Sequence, residues 1–423
     1  MSRIFTYLKN HYIICILIFV GLFRILYYTA FSSHFLFPDS ETYLHYSGDL
    51  LKGVVDPTRT PVYPYFIKVL QFIYPNSILI IINVQIFISL FSVYVFYKIL
   101  DILFANKYFI ALATTLYGIF LPIVYFDKII LTESLSISFV TMFLYALLKF
   151  IKRPSYSLSV LISFGVLFLI FLRPSFLYLL PIFLLFWTIR VLFISQYKGI
   201  SYLGLISTYC VIIVLYGYAH LNESKNQYFG ITTISNANFL NILLEKKLYF
   251  DGNDSEITTN IIALSKYHDN SYIQNKINDI YTPDRVSAFI ATNIKRHPIK
   301  YLSKSFETFT SNKDKSIFSN YSIFSTFYNN NTAAFYTKKI ELLNPKISFS
   351  NIFIFLLISL PLLIINKSYL LIWLIPLSHM ILIFLSANAE FPRLVFPSIP
   401  FLIVIFLLDL KILYNFLVRK KSL

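Results

Sequence analysis

The chain has 423 residues, 57% hydrophobic and only 13% charged, with a mean hydropathy of +0.68. A soluble domain carries about 25% charged residues, so a soluble globule is excluded, and repeated apolar runs of about 20 residues exclude a β-barrel. The net charge of +16 does not point to nucleic acid, because much of it falls in segments whose basic character membrane topology explains.

The expectation is an all-α polytopic membrane protein. The first apolar run, 12–31, is too long for a cleaved signal and no small-residue cleavage site follows it, so it is expected to stay as an anchor. Arg24, near its outer end, is expected to snorkel towards the headgroups. Cys15 and Cys210 lie in separate apolar runs and suggest neither a disulfide framework nor a metal cluster. Further runs at 77–97, 108–126, 129–149, 157–172, 176–194, 201–219, 350–366, 369–386 and 393–413 bring the expected total to about ten membrane helices.

With the N-terminus in the cytoplasm, inner segments carry Arg3, Lys9, Lys98, Lys107, Lys149, Lys152, Arg153, Arg190, Lys198, Lys367, Lys411, Arg419, Lys420 and Lys421. The short outer turns carry only Lys128, Arg173 and Arg393, and this asymmetry puts both termini inside. The chain then divides into a transmembrane core, 1–219, an exoplasmic soluble insert, 220–349, and C-terminal transmembrane helices, 350–423. Helical pieces are expected in the insert at 236–247, 283–296 and 299–310.

The outer loop 32–76 concentrates chemistry. It contains Phe37-Pro-Asp-Ser-Glu-Thr-Tyr43 and, about twenty residues on, Arg59-Thr-Pro-Val-Tyr-Pro64. Ser40 to Lys52 reads as an amphipathic helix capped by Asp39 or Ser40. Pro61 and Pro64 keep a regular helix out of the turn, and Tyr65 to Ile73 resumes as an interfacial helix. Asp39 reads as a general base at the membrane surface, as a helix N-cap, or as both. Glu41 is a second acid or a first-turn residue favoured by the helix dipole.

Arg59 is either a bidentate phosphate clamp or an interfacial arginine meeting lipid phosphate. Lys128, Arg173 and Arg393 carry the same alternatives singly; four cations on one face suggest a pocket for an anionic lipid. Glu133 lies one turn into the fourth run, where an acid is costly unless paired or in a wet cavity, and Lys128 or Arg173 is its expected partner. Glu390 sits beside Arg393 and can neutralise it. The chain has no H-E-x-x-H, Cys/His ligand spacing, Walker loop or G-x-S-x-G, so metal or serine hydrolysis and ATP coupling have no support.

Pro38-Asp39-Ser40 with Tyr43, the Arg59 to Pro64 stretch, Leu131-Thr-Glu-Ser-Leu135, Arg173-Pro174 and Arg393-Leu-Val-Phe-Pro397 with Pro400 occur in an order that resembles the GT-C superfamily of membrane glycosyltransferases. The similar branch is that of bacterial enzymes related to protein O-mannosyltransferases and to the aminoarabinose transferases of lipid A. Ile234-Ser-Asn-Ala-Asn-Phe239 and His297-Pro-Ile-Lys-Tyr301 resemble its outer segments.

The resemblance implies a GT-C-like fold in the cytoplasmic membrane. It also implies inverting transfer of a sugar from a polyprenyl-phosphate carrier to a hydroxyl acceptor (glycan, lipid or protein) on the exoplasmic face. On that basis Asp39 is the first-loop catalytic acid and Arg59, Arg173 and Arg393 bind the carrier phosphate; beside the resemblance, Glu41 is expected as a second catalytic acid, Lys128 as a further phosphate cation, and Tyr63, Glu133 and Glu390 as the rest of the pocket. Relatives often show two adjacent acids, whereas Ser40 separates Asp39 from Glu41 here. No cofactor is called for, and a divalent metal is not obligatory because arginines can take its part. A polyprenyl-linked polymerase or ligase explains the first-loop acid less directly. A lipid-carrier flippase needs polar residues through the bilayer middle and often a repeat between halves, but the charges gather at one face and no repeat is seen.

Overall fold

The structure is a computed structural model that describes residues 12–30, 36, 38–75, 77–250, 254–312, 348–365, 369–386 and 394–421. In chain order the helices are α1 (Tyr12–Ala30), α2 (Pro38–Leu44), α3 (Val62–Ile73), α4 (Ile78–Leu103), α5 (Lys107–Gly118), α6 (Leu121–Phe126), α7 (Thr132–Lys152), α8 (Tyr156–Leu172), α9 (Leu179–Phe193), α10 (Lys198–Asn226), α11 (Ile234–Glu245), α12 (Ser255–Leu264), α13 (Asn270–Ile280), α14 (Pro283–Arg296), α15 (Pro298–Asn312), α16 (Phe349–Ile365), α17 (Leu370–Ser386) and α18 (Ile399–Lys421). Among the described residues there is no strand; Asp49 and Val54 form an isolated bridge, and Ile129 and Ser348 are single bridge positions.

Among the described residues, seven helical stretches are long and apolar enough to cross a membrane: α1, α4, α5 with α6, α7, α9 with the turn before it, α10, and α18 with the turn before it. The other expected spans, α8, α16 and α17, are apolar helices of 17 residues, at the short end of what crosses a bilayer. α7 is the most enclosed of the long helices, packed between α4 and α8 and against α18. Its buried Ser134, Ser136, Ser138 and Thr141 are small enough to let neighbouring backbones approach closely. Outward-facing Ile18, Leu26, Phe87, Leu112 and Ile213 leave an apolar surface that lipid solvates.

Three local expectations are corrected. The 108–126 run is not one helix: it breaks after Gly118, because Pro122 has no N–H for the Gly118 carbonyl. The 40–52 helix ends at Leu44, and the chain turns through a separate 3-10 helix, Leu50–Lys52. Asp49 starts that turn by accepting the Leu51 N–H, and it pairs with Val54 through two backbone hydrogen bonds of 2.8 Å. Gly53 ends it at φ 65°, in the left-handed region. Finally, α3 begins at Val62 rather than after Pro64, since a first-turn N–H has no intrahelical partner and Pro64 forfeits nothing by lacking one.

The insert has its own core, built from Leu240, Leu243, Ile257, Ile261, Ile277 and Phe289 among others. Besides the expected pieces it contains α12 and α13, started by Asp254 and Asp269, whose carboxylates accept the Ile257 and Tyr272 N–H groups. Residues 313–347, placed in the insert, lie outside the described residues. α10 runs past 219 without interruption, to Asn226.

Contacts sort the segments to two ends. Tyr12 meets the Tyr97 ring at 5.7 Å, and Lys411 donates to the Leu103 carbonyl at 2.6 Å, at one end. At the other, the first loop is tied to the start of the insert: the Thr233 N–H donates to the Pro57 carbonyl at 2.7 Å, and the Thr232 hydroxyl to the Thr58 carbonyl at 2.7 Å. There too the Tyr301 hydroxyl donates to the Leu385 carbonyl at 2.6 Å, joining α15 to the end of α17.

Candidate active site

Positions i, i+3 and i+4 share one face of a helix, and on α2 these are Asp39, Thr42 and Tyr43. All three hold Arg59. Its Nη2 lies 2.9 Å from Asp39 Oδ1, Nε donates to the Thr42 hydroxyl at 2.7 Å, and Nη1 donates to the Tyr43 hydroxyl at 3.1 Å. The guanidinium also lies over the Tyr43 ring, 4.3 Å from its centre. A guanidinium has five N–H groups, so three bonds leave two more to offer an anion.

Asp56 builds the turn that presents Arg59. Its Oδ1 accepts from the Thr58 N–H, the Thr58 hydroxyl and the Arg59 N–H at 2.8, 2.7 and 3.0 Å. Its Oδ2 accepts from the Ser47 hydroxyl at 2.7 Å. Burial opposes the charged form, but the bonds from Ser47, Thr58 and Arg59 outweigh it and hold this carboxyl below the usual range. The sequence reading missed Asp56; the signal was Asp56-Pro-Thr58, an Asx-type turn beside the arginine.

A second acid–arginine pair lies near enough to act on Tyr43 electrostatically. Glu133 Oε1, on a fully buried side chain in the first turn of α7, lies 3.2 Å from Arg173 Nη1, on a side chain 11% exposed. Arg173 starts the 3-10 turn Pro174–Tyr178, where extended backbone before a proline aims it off the end of α8. Burial raises the Tyr43 hydroxyl above its ordinary range; Arg59 pulls it down, Glu133 and Asp39 push it up, and Arg173 pulls it down again. The two pairs thus act on one buried tyrosine. Tyr43 packs edge-on against Tyr63 at 5.0 Å, and the Tyr63 hydroxyl donates to Gln85 Oε1 at 2.7 Å.

Glu41 and Lys128 are placed away from this arrangement. Glu41 points about 200° around α2 from Asp39; its side chain is 58% exposed and lies 3.2 Å from His45. Lys128 is buried and donates to the Tyr28 carbonyl at 3.1 Å, and Glu133 pairs with Arg173. Glu390 and Arg393 lie outside the described residues. Just beyond them, Ser398 Oγ is 2.6 Å from Nδ1 of buried His379, which stacks on Tyr178 at 5.4 Å. Among the described residues no group of three His, Cys, Asp or Glu side chains could hold a metal ion.

Chemically, the arrangement offers an oriented carboxylate on a side chain 38% exposed and two guanidinium groups, the first pair just before the start of the apolar helix α3. The paired acids leave little net charge among these four groups, so an anion reaching Arg173 has to compete with Glu133. No protein-family model matches the chain, and no curated protein matches it.

Proposed function

We propose that this protein is a GT-C-type glycosyltransferase that moves a sugar from a polyprenyl-phosphate carrier to a hydroxyl acceptor at the exoplasmic surface of the cytoplasmic membrane. The observation that carries this is the pairing of Asp39 with Arg59 and of Glu133 with Arg173, both pairs acting on Tyr43 and the first lying beside the apolar helix α3. The lipid tail of such a donor can stay in the bilayer while its phosphate and sugar reach that level.

In the reaction the acceptor oxygen attacks the anomeric carbon from the face opposite the phosphate. Its proton passes to Asp39, the bond from the anomeric carbon to the phosphate oxygen breaks, and the polyprenyl phosphate leaves with the electron pair. The sugar is inverted. A base in that position is worth about 10²–10⁴-fold. Arg173 meets the charge that develops on the phosphate, and Arg59 holds Asp39 in line with two N–H groups to spare. Arg393 is assigned to the same phosphate by the sequence pattern alone.

The test is transfer of labelled sugar by the purified protein in lipid nanodiscs, from a panel of polyprenyl-phosphate monosaccharides. Release of polyprenyl phosphate with an inverted sugar product supports the reading. Complete inertness towards every donor, in protein that is folded by circular dichroism, overturns it.

A further inference from the structure

Arg24 does not reach for the headgroups. Its side chain is 1% exposed, in a buried ion pair with the fully buried Asp127, Nη1 to Oδ2 at 2.7 Å. The same guanidinium supplies what the break between α5 and α6 removed: Nε and Nη2 donate to the Gly118 carbonyl at 3.1 and 3.0 Å, and Nη1 also donates to Ser89 Oγ at 2.8 Å. Asp127 further accepts from the Tyr28 hydroxyl at 3.0 Å and from Ser134 Oγ at 2.7 Å. One ion pair thereby ties α1, α4, the α5–α6 break and α7 together.

Buried ion pairs are weak sources of stability, because desolvation offsets much of their attraction. What this pair fixes is the non-helical link between α6 and α7. The carbonyls of that link hold the candidate site. Gln85 Nε2 donates to the carbonyls of Asp127 and Ile129 at 3.2 and 3.0 Å, and Gln85 in turn receives the Tyr63 hydroxyl. Ser40, next to Asp39, donates to the Ile130 carbonyl at 2.8 Å. Ser134, bonded to Asp127 itself, is next to Glu133.

We infer that Arg24 and Asp127 are positioning residues: they lock the 127–131 link, and through Ser40 and Ser134 that link sets where Asp39 and Glu133 stand. The kinetic consequence rests on the glycosyl-transfer reading; the positional one does not.

The test separates the two with the full-length protein in nanodiscs. The double variant Arg24→Met with Asp127→Leu replaces the pair by apolar groups, an exchange that a merely stabilising pair tolerates. Amide hydrogen exchange is expected to rise about tenfold or more at 42–45 and 128–131 and to stay unchanged in the insert helices α12 to α14. The kcat for transfer is expected to fall about 100-fold, as for a displaced reacting group, with the donor KM held within about twofold.

Unchanged exchange in both segments overturns the inference, whether or not the protein transfers sugar. Inert wild-type protein overturns the function while the exchange result still decides the positioning. Should the double variant not fold, Ser40→Ala cuts one link alone and is expected to raise exchange at 42–45 but not at 128–131. Equal rates in that variant and wild type overturn the inference as well.

Discussion

Arg59→Lys separates charge from geometry at the candidate site. Lysine keeps the positive charge but reaches as a single point where the arginine fork reaches Thr42, Tyr43 and Asp39 together, at 2.7, 3.1 and 2.9 Å. Two of three hydrogen bonds are therefore lost, at about 0.5–1.5 kcal/mol each. If that loss of about 1–3 kcal/mol appears in the barrier because Asp39 is no longer held in line, kcat falls about 5- to 150-fold. The assay is initial-rate transfer from a polyprenyl-phosphate donor, with a thermal melt of the same sample. The donor KM is expected to move less than about threefold, since the local charge is conserved. A lysine variant with wild-type kcat refutes the orienting role. A large rise in KM at unchanged kcat assigns Arg59 to the phosphate instead.

Further outcomes follow from the same geometry. Glu133→Gln removes the anion that competes for Arg173, so polyprenyl phosphate is expected to bind about tenfold tighter by calorimetry, about 1.4 kcal/mol; weaker binding shows that Glu133 orients Arg173 rather than competing. Gly48→Ala places a Cβ 2.4 Å from the end of the buried Tyr46 ring, so the melt is expected to show a loss of about 1–3 kcal/mol; an unshifted melt shows that the ring moves freely. Asp56 has its folded carboxyl held below the unfolded value of about 3.9. Its contribution is therefore present above that value and lost as pH falls through the folded one. Exchange protection at 46–60 is expected to hold above the unfolded value of about 3.9 and to be lost on acidification below it, a step absent in Asp56→Asn; a wild-type profile without the step contradicts the role given to Asp56.

What the sequence made legible was whatever periodicity or chain proximity carries. The apolar runs located the helices, seven of them long and apolar enough to cross a membrane, and the pairing of acids with nearby arginines could be anticipated for Glu133, for which Lys128 or Arg173 was expected. The i, i+3, i+4 set of Asp39, Thr42 and Tyr43 was hidden by an expected helix start at Ser40, with Asp39 or Ser40 as the cap; because the helix begins at Pro38, the set shares one face and Glu41 faces away. Arg24 was misjudged because snorkelling considers one helix alone. Its burial depends on Asp127, 103 positions away, and on a carbonyl freed by Pro122. Gln85 carried no signal either, for a lone amide in an apolar run acquires meaning only from the carbonyls that the fold turns towards it.

The most direct measurement is single-turnover transfer by Asp39→Asn beside wild type. The lost ion pair is 38% exposed at the carboxylate side chain and worth less than about 1 kcal/mol, so the variant is expected to melt like wild type. Its transfer rate is expected to be about 10²–10⁴-fold lower, with donor binding retained. An Asp39→Asn variant that turns over at the wild-type rate contradicts the account.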